Sequence, residues 1–252
     1  MRFVETVMGI PMSIDIRETE ERVAAAAAER AFRVLRDADA LFSAYRPDSE
    51  LSRVNARGGD TSGTSEDFAE VVGLGSAMAD ASGGAFRIRR PDGTWDLDGV
   101  VKGWAADRAA RSLAVGGLRN FCLNAGGDVA VSGSPGEGRP WNVGVRSPES
   151  AAEVLAVLEV RDGGVATSGA YERGAHIVDG RTDGAATGLR SATVVAADLT
   201  TADLLATAVF ALGEDGIRWA MGNGARGVLA VDAAGRLLGL GELAFAGAEQ
   251  PR

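Results

Sequence analysis

The stretch SATVVAADLTTADLLATAVFALG, residues 191–213, changes its hydrophobic rhythm once. Its first third, SATVVAAD, is dense in small and β-branched residues and reads as a strand. The remainder, TTADLLATAVFALG, reads as a helix that Gly213 terminates. Within that helix Asp203 and Thr207 stand four apart, on one face and one turn from each other. A carboxylate and a hydroxyl so placed offer two hard oxygen ligands, which suits magnesium completed by phosphate oxygens and water. Two plainer roles compete. Asp203 falls in the expected first turn, where a carboxylate complements the helix dipole, and Thr207 can bond back to a preceding carbonyl.

Working outward, Val4–Ile16 alternates as two strands broken at Gly9-Ile10-Pro11. TEERVAAAAAERAFRVLRDADALFS follows as a helix with Thr19 as N-cap and Glu20 and Glu21 in its first turn. The polar run from Ala44 to Glu66 is a loop with one helical turn, and a second helix spans Asp67–Ala81 before Gly83-Gly84. TWDLDGVVKGWAADRAARSLAVGG enters as a strand, turns at Asp98-Gly99 and continues as a helix to Leu113. FCLNAGGDVAVSG is strand, glycine turn, strand. WNVGVRSP and EVLAVLEVRDGGVATSG add more strands. DGIRWAMGN is a short helix, and RGVLAVDAAGRLLGL is a hairpin turning at Ala233-Ala234-Gly235. Strands and helices mix without strict alternation and no repeat or long linker divides the chain. The expected class is α+β, with mixed sheets and packed helices in one domain over residues 1–252 that has room for two lobes.

With 252 residues, 46% of them hydrophobic and 24% charged, the chain is globular rather than disordered. A net charge of −9 argues against nucleic-acid and anionic-membrane partners, while leaving space for a local basic pocket. The single cysteine, Cys122, cannot form an internal disulfide and reads as a core residue. No apolar run is long enough to span a bilayer, and the opening MRFVETVMGIPMSIDI lacks a leader pattern, so a cytoplasmic protein is expected.

Two more segments carry chemistry. In DLDGVVKGWAAD a glycine turn opens a helix and Lys102 adds charge, an arrangement that suits an anion but equally a lysine on a solvated helix start. The only histidine, His176, lies in SGAYERGAHIVDGRTDG, residues 168–184, the most densely charged turn of the chain. Glu172, Arg173 and Arg181 read equally as a surface ion-pair cluster. A histidine between acidic groups stays near the pKa that a general base needs.

Taken in order, these segments resemble the ApbE family of flavin transferases nearly end to end. VMGIPMSI corresponds to the family's Met-Gly-Thr-x-x-Ser opening, FSAYRPDSELSRVN to its Ser-x-Tyr-x-x-x-Ser-Glu-Leu-Ser-x-x-Asn segment, and SGGAF to its Gly-Gly-Ala-Phe-Asp turn. DLDGVVKGWAADRA is similar to Asp-Leu-Gly-Gly-Ile-Ala-Lys-Gly-Tyr-Ala-x-Asp, LNAGGDVAVSG to Asn-x-Gly-Gly-Asp, TSGAYER with HIVDGRT to Ser-Gly-Asp-Tyr-Glu-Arg and His-Ile-Ile-Asp-Pro-Arg-Thr, and the 191–213 stretch to the closing Ala-Asp-Ala-Leu-Ala-Thr-Ala helix. The resemblance implies that Asp203, Thr207 and the Val101 carbonyl hold Mg²⁺ and that FAD is the substrate. It puts Met8, Tyr45, Ala85, Phe86, Asp98, Trp104 and Ile177 at FAD. It makes His176 the base that deprotonates a threonine of an acceptor flavoprotein as FMN is transferred and AMP leaves. Two alternatives keep the same site: hydrolysis of FAD to FMN and AMP, or flavin binding without turnover.

The chain departs from the family at three places. Arg87 stands where the family has aspartate, and with Arg89 is a candidate phosphate contact. Ala170 replaces an acidic residue. Gly180 replaces a proline and is expected to loosen the turn after His176. DGRT at 179–182 begins like the family's acceptor signature, but its continuation fails, so self-flavinylation is not expected.

Overall fold

The structure is a computed structural model, described over residues 1–17, 19–150, 152–170 and 177–247. His176, Glu172 and Arg173 lie outside the described residues. Eight strands form one antiparallel sheet: β1 (Arg2–Val7), β2 (Ile10–Ile16), β3 (Phe121–Ala125), β4 (Asp128–Ser132), β7 (Gly163–Gly169), β10 (Leu189–Ala196), β11 (Ala225–Asp232) and β12 (Leu237–Gly241), adjacent in that order. Two hairpins stand apart from it, β5 (Trp141–Arg146) with β6 (Val154–Val160) and the short β8 (Val178–Asp179) with β9 (Gly184–Ala185). The helices are α1 (Glu21–Phe42), α2 (Glu50–Ala56), α3 (Glu66–Ala81), α4 (Asp98–Val115), α5 (Leu199–Leu212) and α6 (Glu214–Met221). A single sheet running through both halves of the chain is the α+β architecture expected, with one main core.

The period-two alternation of each strand sorts side chains onto the two faces. Met12, Ile14, Ile16, Ala130, Ala166, Ala192, Val194 and Ala196 face the helices in the main core. Val129, Val131, Val165, Val195 and Leu229 face Trp141, Val143, Val145, Leu158 and Val160 of the β5–β6 hairpin, forming a second, smaller core. Cys122 is half-buried against that second core rather than inside the main one. The small residues on the helix side bring α5 close to β7. A Cβ on Gly164 would lie 2.6 Å from the Leu199 backbone nitrogen.

Local corrections follow from capping and turn chemistry. Helix α1 starts at Glu21 with Glu20 as N-cap and no side-chain cap bond, so Thr19 does not cap it. The opening hairpin turns at Met8-Gly9, both in left-handed backbone with φ of 55° and 72°, and Ile10 and Pro11 already belong to β2. The 44–66 loop contains the two-turn α2, which Ser49 caps by accepting from the Ser52 N–H at 2.9 Å. Asp98 and Gly99 are the first turn of α4 rather than a turn before it. Among the described residues no helix is long and apolar enough to cross a membrane.

Candidate active site

Helices α4 and α5 cross where neither has bulk to keep them apart. Gly99 and Gly103 of α4, four apart, meet Thr207 and Asp203 of α5, also four apart. A Cβ on Gly103 would lie 2.6 Å from Asp203 Cβ, and one on Gly99 would lie 3.8 Å from Thr207 Cγ2. Because residue 103 has no side chain, the Asp203 carboxylate reaches the backbone, and the Gly103 N–H donates to Asp203 Oδ2 at 2.9 Å. Thr207 Oγ1 shares a hydrogen bond of 3.1 Å with Ser168 Oγ at the end of β7. The i,i+4 pairing read from the sequence therefore faces inward, onto α4 and β7.

The plainer roles for these residues are not the ones the structure builds. Asp198, not Asp203, caps α5, accepting from the Thr201 N–H at 2.8 Å. Asp203 sits one turn further on and is 3% exposed. Lys102 is not on a solvated helix start. Its ammonium pairs with buried Asp128 at the glycine turn between β3 and β4, and lies 3.2 Å from Asp203 Oδ1. Asp128 in turn accepts from the Thr167 N–H at 2.9 Å. Two buried carboxylates thus share one lysine. Burial pushes the Asp203 carboxyl up to about 7 against the attraction of Lys102, and the Asp128 charge adds to the rise. Among the described residues its donors are carboxylate and hydroxyl oxygens beside the buried Val101. That set fits a small, hard divalent cation such as Mg²⁺. No cluster of three or more His, Cys, Asp or Glu able to hold a metal occurs among the described residues.

Around this crossing the other expected residues divide. Ala85 and Phe86 are buried, with the Phe86 N–H donating to Ser82 Oγ at 3.0 Å and the Phe86 ring packing beside Gly99. Trp104, one residue beyond Gly103, is 2% exposed and stands edge-on to Phe42, with ring centroids 5.5 Å apart. Its indole Nε1 is buried without a hydrogen-bond partner among the described residues, an orphan donor of the sort that calls for a ligand or a cost. Asp98 is exposed at the start of α4. Met8 is half-buried in its left-handed turn, Ile177 is half-buried against the main core, and Tyr45 is 95% exposed.

The departures from the family pattern also take definite form. Arg89 is exposed, stacked 4.4 Å from the Trp95 ring centre and donating to the Gly93 carbonyl at 3.1 Å. Arg87 pairs with Asp183, and Arg181 pairs with Asp179, which holds the Asp179 carboxyl below its usual range. Gly180 does not loosen its turn. Its N–H, which a proline would lack, donates to the Ala85 carbonyl at 3.0 Å. Ala170 is exposed at the end of β7. Sequence reasoning passed over Gly99, Gly103, Asp128 and Ser168 as site residues. Their signal was a glycine pair at the helix spacing matching Asp203 and Thr207, and a charge directly after Gly126-Gly127.

The model of the ApbE family matches residues 8–91 and 87–229. The FAD:protein FMN transferase of Haemophilus influenzae is 27% identical over 246 residues, covering 72% of this chain and 71% of that protein. The one from Rhodobacter capsulatus is 36% identical over 172 residues, covering 64% of this chain and 32% of that protein. Among solved structures, the ApbE protein of Thermotoga maritima superposes with a TM-score of 0.82 at 23% identity, covering 94% of this chain and 96% of that one. The flavin transferase ApbE from Vibrio cholerae gives 0.79 at 22% identity, covering 97% and 96%. With the family pattern running from Met8 to Leu229 over the same strands and helices that build the α4–α5 crossing, the chain belongs to the ApbE family.

Proposed function

We propose that the protein is a Mg²⁺-dependent FAD:protein FMN transferase, which joins FMN through a phosphoester to a threonine of an acceptor flavoprotein and releases AMP. The observation that carries this reading is the buried Asp203 carboxylate and the half-buried Thr207 hydroxyl, one helical turn apart and set against Gly99 and Gly103, in a chain whose relatives bear that activity. Asp203, Thr207 and the Val101 carbonyl are its metal ligands. A magnesium ion held there would neutralise charge on the FAD diphosphate and make AMP a better leaving group.

The remaining work falls to the chain. Lys102, tied to Asp128, supplies fixed positive charge at the edge of the pocket. Met8, Tyr45, Ala85, Phe86, Asp98, Trp104 and Ile177 orient FAD, with the Tyr45 ring free to stack and the buried Trp104 N–H free to donate. His176 takes the proton from the threonine hydroxyl as that oxygen attacks the FMN phosphorus. A cytoplasmic location belongs to the same proposal, and cell fractionation tests it.

The test is incubation with FAD, Mg²⁺ and candidate threonine-bearing acceptors, followed by intact mass. The expected result is a gain of one phosphoester-linked FMN with release of AMP, lost in His176→Ala and Asp203→Asn. AMP release without any acceptor, and no mass gain with one, would replace transfer by hydrolysis. FAD binding without AMP release would leave a binding protein only.

A further inference from the structure

The β8–β9 hairpin is fastened to the turn at residues 84–87 by two links from opposite ends of the charge scale. One is neutral: the Gly180 N–H donates to the Ala85 carbonyl at 3.0 Å, and any Cβ at position 180 would collide with the Gly84 carbonyl. The other is ionic: the Arg87 guanidinium pairs with the Asp183 carboxylate across 96 residues of sequence, with the two side chains 27% and 62% exposed. Asp183 makes this pair from left-handed backbone, φ 57°, which an L residue adopts only at a cost. A glycine would sit there without strain. Asp183 is one of three non-glycine residues with positive φ among those described. The hairpin is closed at its base by the Ala186 N–H donating to the Ile177 carbonyl at 3.0 Å. The ion pair therefore acts on a preformed unit, and it fixes how far that unit stands from the buried Ala85-Phe86 pair.

We propose that Arg87 and Asp183 are a charged clasp that positions the two sides of the FAD rim, Ala85–Phe86 on one and the segment beginning at Ile177 on the other. This rests on the flavin reading above. The family's aspartate at position 87 would set two carboxylates against each other here, so the departure at Arg87 and the strained Asp183 form one device. Both are positioning residues: they act on FAD through the spacing of the rim.

The experiment measures FAD affinity by flavin fluorescence in the presence of Mg²⁺, together with thermal melting, on the full chain. R87A and D183G are each expected to weaken FAD binding about two- to fivefold, the range of a half-exposed ion pair, with KM for FAD rising more than kcat falls. The double variant should be no weaker than either single one, and the swap R87D with D183R should restore binding to within about twofold. D183G relieves left-handed backbone, so it should melt no lower than wild type while still losing affinity, a divergence that a merely structural role does not produce. Variants that bind FAD as wild type does, or a swap that fails to restore binding, overturn the clasp while the flavin reading stands. A wild-type protein that binds no FAD overturns that reading and the clasp with it.

Discussion

Adding one methyl group at Gly103 should separate the two helices that make the site. Gly103→Ala brings a Cβ within 2.6 Å of Asp203 Cβ, 2.8 Å of Oδ2 and 3.1 Å of Cγ. Carbon atoms in contact sit about 3.5–4.0 Å apart, so the shortfall is roughly 1 Å. It falls between two Cβ atoms fixed to their helices, where no rotamer change can absorb it. Overpacking of this kind costs about 1–3 kcal/mol, and replacing glycine by alanine inside a helix returns about 1 kcal/mol. The net is a loss of up to about 2 kcal/mol, a fall in Tm of up to about 8 °C for a chain of this size. Asp203 also loses its bond from the Gly103 N–H, and a ligand misplaced by about 1 Å can lower turnover roughly 100-fold. Gly73→Ala is the control. It lies in α3, nothing comes within 4 Å of its new Cβ, and its φ is not positive, so it should stabilise the protein by up to about 1 kcal/mol. Scanning calorimetry and Mg²⁺-dependent AMP release from FAD read both variants. A Gly103→Ala protein that melts and turns over like Gly73→Ala would refute the close crossing.

Asp203→Asn should abolish Mg²⁺-dependent AMP release without lowering Tm at pH 8 in metal-free buffer. The same carboxyl sets a pH dependence. Its pKa in the fold is raised from 3.8 to about 7 by burial, so its favourable contribution is fully present below pH 4 and is lost as pH rises through 7. Metal-free wild type should therefore lose stability between about pH 4 and 7 relative to Asp203→Asn, and a matching pair of melting curves would count against the buried charge. Trp104→Phe removes a buried donor without a partner and should leave Tm unchanged or slightly higher, yet weaken FAD; a clear drop in Tm would mean that the indole N–H has a partner in the free protein. Burial pushes the Cys122 thiol up to about 12 from 9.0, with Asp15 adding to the rise. Alkylation at pH 8 should thus be roughly a thousandfold slower in the native protein than in denaturant, and rapid labelling of folded protein would show the thiol to be open.

The parts of this fold that were legible in the sequence are those set by periodicity and glycine punctuation. The alternation through β2, the β-branched density of β10, the glycine turn before β4 and the stop of α5 at Gly213 depend only on neighbours along the chain. What stayed hidden depends on neighbours in space. Asp203 reads equally as a helix-dipole carboxylate until the strand-to-helix junction moves the cap to Asp198. Lys102 reads as a solvated lysine until the β3–β4 turn brings Asp128 beneath it. Gly180 looked like a loosened turn because only the fold puts the Ala85 carbonyl opposite its N–H. The Arg87–Asp183 pair joins positions 96 apart, and no local rule links them.

The most direct test of the central claim is the anomalous diffraction of Mn²⁺, used in place of Mg²⁺, in crystals grown with FAD. A peak about 2.0–2.2 Å from Asp203 Oδ1, Thr207 Oγ1 and the Val101 carbonyl, with Lys102 on Asp128 and off Asp203, is the predicted result. A peak elsewhere, or none while Lys102 still sits on Asp203, would contradict the account.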